Sequence, residues 1–332
     1  MLATPWLDNK PLLEVQHLQC TFPIRQGVLG RVTGRVRAVE DVSFTLGRGT
    51  TLGLVGESGC GKTTVGRCIL QLLRPTAGSV VFEGEELVGM APERLRTRRR
   101  DMQLIFQDPY GSLNPRMKVR GHLAEALRLY RVVPREAVDE EIDRLLDLVG
   151  LTRSDADRYP HEFSGGQRQR IGIARALAVR PKLLICDEPV SALDVSIQAQ
   201  VINLLKDLQQ ELDLTYLFIS HDLSVVEHIS DRIAVMYLGR IVEMGSAQEV
   251  IHQPLHPYTQ ALISAVPVPD PGRKAQRIVL QGDVPSPSDP PSGCPFHPRC
   301  PVYQAAANLA CIQAVPPLEE LAPGHFVACY EA

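Results

Sequence analysis

No stretch of this chain is apolar for the roughly 18 to 20 residues that a bilayer-crossing helix needs, so no membrane span is expected. Residues Met1 to Lys10 lack a basic start followed by an apolar run, which argues against a secretory leader. A dominant charge of one sign is missing as well. The net charge of −3 gives no global attraction for nucleic acid. No internal repeat is evident, which argues against tandem copies of one domain, and no long coiled-coil insertion interrupts the sequence. What remains is 332 residues, 44% hydrophobic and 22% charged, the make-up of an ordinary globular protein with room for one large domain and an appendage. The expected location is the cytoplasm, at the membrane face through a partner.

The apolar pattern sketches the order of elements. Leu12 to Phe22 alternates loosely and reads as a strand, Gly27 to Arg37 as an excursion, and Ala38 to Leu46 as a second strand. Thr51 to Val55 is a short apolar run that ends at Gly56, and Thr64 to Leu73 has helical spacing before Pro75. Ser79 to Phe82 is a further strand. Arg94, Arg96, Arg98, Arg99 and Arg100 form the densest charge run, and with no aromatic residue interleaved they read as a solvated helix before the strand Met102 to Phe106. Between Pro109 and His161 the pattern turns helical, most clearly over Glu136 to Val149. Buried strands resume at Leu183 to Cys186 and Thr215 to Ile219, with a helix from about Ser196 to Leu212 between them. Ile233 to Met236 and Arg240 to Glu243, joined through Leu238-Gly239, form a hairpin signature. Past Pro254 the composition shifts: 15 of the 26 prolines fall between Pro254 and Pro323, too many for long helices or central strands.

Three motifs carry chemistry. Gly56-Glu57-Ser58-Gly59-Cys60-Gly61-Lys62-Thr63 fits the phosphate-loop pattern G-x-x-x-x-G-K-[ST], with a strand before it and a helix after. Its glycines let backbone N–H groups cradle phosphate oxygens at a helix N-terminus. Lys62 is expected on the β- and γ-phosphates and the Thr63 hydroxyl on Mg2+, with Gly56, Ser58, Gly59, Cys60, Gly61 and Thr64 lining the nucleotide. Asp187 ends the apolar strand Leu183-Leu184-Ile185-Cys186, where a carboxylate can hold Mg2+, and Glu188 beside it can polarise the attacking water. Ser164-Gly165-Gly166-Gln167 offers a hydroxyl and amides at a helix start, suited to a γ-phosphate.

In this order the motifs resemble the ATP-binding subunits of ABC transporters over about residues 12 to 265. The signature here begins with Phe163 where the family usually has Leu. Gln107 matches the Q-loop glutamine and a Mg2+ contact, Ser191-Ala192-Leu193-Asp194 the D-loop, His221 the switch histidine that donates to the γ-phosphate, and Phe22 the aromatic stacked on adenine. The resemblance implies an α/β P-loop NTPase core with an antiparallel β subdomain and an α-helical subdomain at about residues 107–169. It implies a head-to-tail dimer in which each signature seals the partner's ATP, with Glu188 and His221 as the catalytic pair.

The tail narrows the resemblance. His256-Pro257-Tyr258-Thr259, Pro285-Ser286-Pro287 and Gly293-Cys294-Pro295-Phe296 look like the C-terminal extension of oligopeptide and dipeptide importers, here residues 266–332, and more like the F-type of their two paired ATPases. The stretches Arg158-Tyr159-Pro160-His161 and Gln107-Asp108-Pro109-Tyr110-Gly111-Ser112-Leu113-Asn114-Pro115 are similar to that group too. The implied partners are a second, different ATPase subunit, two membrane-spanning permeases and an extracytoplasmic peptide-binding protein, at the cytoplasmic face of the inner membrane. Cargo of another kind, such as a nickel chelate or a sugar, and a soluble ABC ATPase acting on nucleic acid are the rival readings; net charge weighs against the second.

Of eight cysteines, Cys20, Cys60, Cys68 and Cys186 are scattered, whereas Cys294, Cys300, Cys311 and Cys329 share the last 39 residues in the spacing C-x5-C-x10-C-x17-C. In a reducing compartment such clustering suggests metal ligation rather than disulfides. The spacing alone leaves a metal cluster, zinc and free thiols open; the subfamily resemblance implies a four-iron four-sulfur (4Fe-4S) cluster. His297 and His325 nearby read as loop residues. Cys60 and Cys186 read as small residues, one at a cramped turn and one in a core strand.

Overall fold

A computed structural model describes residues 10–27, 31–108, 111–266 and 277–332. The start of the chain, Pro109 and Tyr110 therefore lie outside the described residues. The chain divides into two compact units: Met1–Gly47, Thr51–Gly89 and Ser220–Ala332 form the first, Arg48–Thr50 and Met90–Ile219 the second.

The first unit opens with strands β1 (Leu13–Gln26), β2 (Arg31–Leu46) and β3 (Thr51–Val55), helix α1 (Lys62–Ile69), and strands β4 (Ala77–Phe82) and β5 (Glu85–Glu86). The second unit follows with α2 (Pro92–Asp101), β6 (Met102–Ile105), α3 (Val119–Leu129), α4 (Val138–Leu148), α5 (Gly165–Leu177), β7 (Leu183–Asp187), α6 (Val195–Leu212) and β8 (Thr215–Ser220). The chain then returns to the first unit with α7 (Leu223–Ile229), β9 (Arg232–Tyr237), β10 (Arg240–Ser246), α8 (Ala247–His252) and α9 (Pro257–Ser264). The tail adds α10 (Pro301–Ala306), α11 (Ala310–Gln313), β11 (Glu319–Ala322) and β12 (His325–Val327).

In the first unit the strands run β5-β4-β1-β2-β10-β9-β3, with β12 hung on β10 and β11 on β12. β1, β2, β4 and β5 pair antiparallel and β3 pairs parallel with β9. Every residue of β3 is buried, which is why its run is continuously apolar rather than alternating. β9 and β10 turn through Leu238 (φ 43°) and Gly239 (φ 80°), the two positive values that a tight hairpin of this twist requires. In the second unit β6, β7 and β8 are parallel neighbours, and β7 and β8 are buried throughout. α3, α4 and α5 pack together beside them through Leu123, Leu127, Ile142, Leu145, Leu146 and Ile171.

Two expectations need correction. Arg31–Arg37 is not an excursion but the outer half of β2, paired to β1 through Pro23↔Arg35, Ile24↔Gly34 and Arg25↔Val32. α1 stops at Ile69 rather than Leu73, because Gln71 takes a left-handed conformation (φ 53°) and the amides of Gln71 and Leu72 close back on Cys68 and Arg67. The arginine run does form a helix: α2 has no buried residue and leads directly into β6. Among the described residues no helix is long and apolar enough to cross a membrane.

Candidate functional site

The phosphate loop lies between β3 and α1 in the first unit, and sterics explain its glycines. A Cβ at Gly56 would sit 2.1 Å from the Met236 carbonyl oxygen, and one at Gly61, where φ is 109°, 2.1 Å from that of Ala38. Only glycine fits either place. Gly61 caps α1, so the loop runs straight onto a helix N-terminus, where backbone dipoles favour an anion. Lys62 is buried, and its Nζ donates to the carbonyls of Gly56 (2.8 Å) and Glu57 (3.0 Å). The ammonium is thus held inside the loop by two oxygens of the kind a phosphate would present. Thr63 and Thr64 follow in the first turn, each half-buried.

Cys60 is buried in the same loop, and burial pushes its thiol up despite the neighbouring Lys62. A reactive thiolate is therefore not favoured here. Its Sγ lies 2.9 Å from where a Gly56 Cβ would stand, in keeping with a small side chain at a cramped turn. Burial likewise raises the Cys186 thiol in β7. Phe22 is on β1 opposite Val36, with 37% of its surface exposed, and His221 is exposed just past β8. Both belong to the first unit.

In the second unit the ends of two adjacent parallel strands bring Gln107 and Glu188 together. Gln107 follows β6, Glu188 follows β7, and the Gln107 amide donates to Glu188 Oε2 at 2.8 Å. Glu188 is left-handed (φ 47°), and its N–H donates to the Ile219 carbonyl (2.9 Å). Asp187, the last residue of β7, is 4% exposed. Ser164 caps α5 with a reciprocal box: its Oγ accepts from the Gln167 amide (3.3 Å) and its own amide donates to Gln167 Oε1 (3.0 Å). A Cβ at Gly166 would stand 2.4 Å from Ile197 Cγ2, so any larger residue there would have to displace that side chain. Asp194 precedes α6, its side chain making no cap bond.

The tail packs on the first unit. Cys294, Cys300, Cys311 and Cys329 line one small cavity with His256, Phe296 and Tyr303. Burial and the three neighbouring thiols push the Cys294 thiol up to about 11. Among the described residues, however, no group of three or more His, Cys, Asp or Glu is spaced to hold a metal ion. The four thiols thus share one cavity, but as they stand they do not form a metal-holding group of the kind expected from the sequence. His325 is not a loop residue: it lies in β12, 3% exposed, with Nε2 2.8 Å from Glu243 Oε1. His297 turns back on its own segment, its Nδ1 2.9 Å from the Cys294 carbonyl oxygen.

Sequence reasoning missed Arg299. Its guanidinium grips the Glu57 carboxylate of the phosphate loop through Nη1 (2.8 Å) and Nη2 (3.0 Å). The only signal was a lone arginine between two of the clustered cysteines.

Strand, glycine loop, helix and a strand-end Asp-Glu pair define a P-loop ATPase. Known proteins agree. Residues 39–191 match the ABC transporter family model, and residues 242–306 match the C-terminal region of oligopeptide/dipeptide transporters. The chain is 53% identical over 326 residues to the oligopeptide transport ATP-binding protein AppF of Bacillus subtilis, covering 97% of this chain and 98% of that protein. It is 52% identical to a probable peptide ABC transporter ATP-binding protein of Sinorhizobium fredii, covering 96% and 89% of the two chains. The solved cbiO1 of Clostridium perfringens, part of the ABC transporter complex cbiONQ, superposes with a TM-score of 0.63 at 26% identity over 74% of this chain and 92% of that one. The ATP-binding cassette MJ0796, solved as a dimer bound to ADP and Pi, gives 0.62 at 26% identity over 71% and 98%. The chain belongs to the ABC transporter ATPases, in their oligopeptide/dipeptide branch.

Proposed function

We propose that this chain is the energy-coupling subunit of an ABC importer for di- or oligopeptides, hydrolysing ATP at a site built from both its own motifs and a partner's. The observation that carries this reading is the buried Lys62 ammonium, held by two carbonyls inside a loop whose Gly56 and Gly61 admit no side chain, at the start of α1. Lys62 would exchange those carbonyls for β- and γ-phosphate oxygens. Phe22 would cover the adenine, and the loop from Gly56 through Ser58 and Gly59 to Thr64 would wrap the phosphates. Mg2+, when bound, would offset the charge developing on the transferred phosphoryl group. Thr63, Asp187 and Gln107 would hold it.

Glu188 orients the attacking water and accepts its proton, with Gln107 fixing the carboxylate. His221 donates to the γ-phosphate. Ser164, Gly165, Gly166 and Gln167, with Asp194 nearby, serve the nucleotide of the second ATPase subunit, so ATP closes the dimer and hydrolysis lets it open. That subunit is a different chain, and the pair drives two membrane-spanning permeases fed by an extracytoplasmic peptide-binding protein. The subunit is peripheral, at the cytoplasmic face of the inner membrane. Residues 12–265 are the ATP-binding domain, and 266–332 an extension specific to this branch.

Convergence of four thiols on one cavity supports a 4Fe-4S cluster at Cys294, Cys300, Cys311 and Cys329. Such a cluster would cross-link a segment too rich in proline to build a core of its own.

The reading is tested by purifying the native complex and identifying its subunits and cargo. Co-isolated permeases with peptide-stimulated, Mg2+-dependent ATP hydrolysis are expected; a complex without permeases would reject it. For the tail, anaerobic preparation should give brown protein absorbing near about 400 nm. Colourless protein with stoichiometric zinc would assign the thiols to zinc instead.

A further inference from the structure

Glu57 occupies the second position of the phosphate loop, where the sequence pattern places no demand on the side chain. Yet each of its polar groups is engaged. Its carbonyl accepts from Lys62 Nζ (3.0 Å), its amide donates to the Tyr258 hydroxyl (2.9 Å), and its carboxylate receives the two-pronged grip of Arg299. Two of these three anchors come from beyond the hairpin of β9 and β10: Tyr258 from α9 and Arg299 from the tail.

The tail anchor is itself firmly seated. Arg299 is 8% exposed, its Nη1 also reaches the Tyr237 hydroxyl (3.4 Å), and its guanidinium carbon lies 5.9 Å from the centre of that ring. Phe296, 1% exposed, packs against both Tyr237 and Tyr258 with ring centroids 5.3 Å from each, the two tyrosine rings lying 4.7 Å apart. The Arg299 Nε has no partner among the described residues. Burying a guanidinium with one donor unsatisfied is costly, and a paired carboxylate of fixed geometry is what offsets it.

We propose that Arg299 is a positioning residue of the nucleotide site: the tail acts as an outer bracket that fixes the phosphate loop through Glu57. This rests on the reading that Gly56–Thr63 binds ATP. Lys62 must release the Gly56 and Glu57 carbonyls to reach a phosphate, and a loop that loses those bonds gains freedom unless something else holds it. The Tyr258 hydroxyl and the Arg299 fork hold Glu57 from outside the phosphate cradle while Lys62 exchanges partners. The loop is thereby pre-organised, and binding has less ordering left to impose.

The test is equilibrium titration of the full chain with a fluorescent ATP analogue, alongside thermal melting, for wild type, R299A, E57A, the double variant, R299K and K62A. Arg299→Ala and Glu57→Ala should each weaken nucleotide binding about tenfold, and the double variant should be no weaker than the worse single one, because both remove one interaction. Arg299→Lys, which keeps charge but loses the fork, should fall between wild type and R299A. A folded R299A that binds within about twofold of wild type overturns the proposal, as do single effects that multiply in the double variant. Should R299A fail to fold, R299K and E57A carry the same comparison: binding within about twofold of wild type in both overturns it. If K62A binds the analogue as tightly as wild type, the reading of the loop fails first, and that result is distinct from one in which only the Arg299 variants are silent.

Discussion

The Gln107 side-chain amide and the Glu188 carboxylate meet at 2.8 Å across the ends of β6 and β7. Two parallel neighbours deliver them, and Glu188 makes the contact from a left-handed backbone conformation (φ 47°). A carboxylate so oriented by an amide can take a proton from water without being free to rotate.

Replacing Glu188 by Gln keeps shape and hydrogen bonding but removes the base. Steady-state ATP hydrolysis should fall by about 100-fold or more, with ATP affinity little changed. ATP should then hold the chain in a closed dimer with its partner ATPase, read by size-exclusion chromatography. Brisk turnover in E188Q would remove Glu188 from the catalytic role.

Lys62→Ala takes away the buried ammonium and leaves the Gly56 and Glu57 carbonyls without their donor. Nucleotide affinity should drop by roughly 10- to 100-fold, as expected for losing a charge-assisted contact to phosphate. Isothermal titration with Mg-ATP measures it.

Ser164→Ala separates two roles of one hydroxyl. Loss of the cap on α5 should cost about 1 kcal/mol in stability. If the same hydroxyl also meets a partner's γ-phosphate, ATP-dependent dimerisation should weaken far more than that small stability change explains, with binding at the chain's own loop intact. Melting curves and dimer titration together decide it.

His122, buried on α3 with Nε2 3.2 Å from the Asn114 carbonyl oxygen, has its pKa lowered, chiefly by burial. The unfolded chain therefore binds this proton more readily than the folded one. The resulting contribution is fully present above the unfolded value of about 6.5 and is lost as pH falls below it. Denaturant titrations at pH 7.5 and 5.5 should show this loss in wild type and a shallower one in His122→Gln.

How much of this was legible in the sequence follows from where each contact is made. β3, β7 and β8 are buried on both faces, so each reads as a nearly continuous apolar run, and Gly56 and Gly61 of the phosphate loop sit where a Cβ would strike a carbonyl. The outer half of β2 was hidden because Arg31, Val32 and Thr33 are all exposed, leaving no alternation to read. The grip of Arg299 on Glu57 spans 242 positions and that of His325 on Glu243 spans 82. Local patterning cannot encode such pairings; only the folded chain makes them neighbours.

The last of these has a practical side. Glu243 is fully buried in β10, and its carboxylate accepts the amides of Leu255 (2.9 Å) and His256 (3.0 Å) on one flank while His325 closes the other. A version shortened to end near residue 265 would take His325 from this buried acid and bare the edge of β10 that β12 covers. Sluggish behaviour of so trimmed a polypeptide would report damage to its scaffold, so dissecting the motor from its appendage calls for point changes rather than deletion.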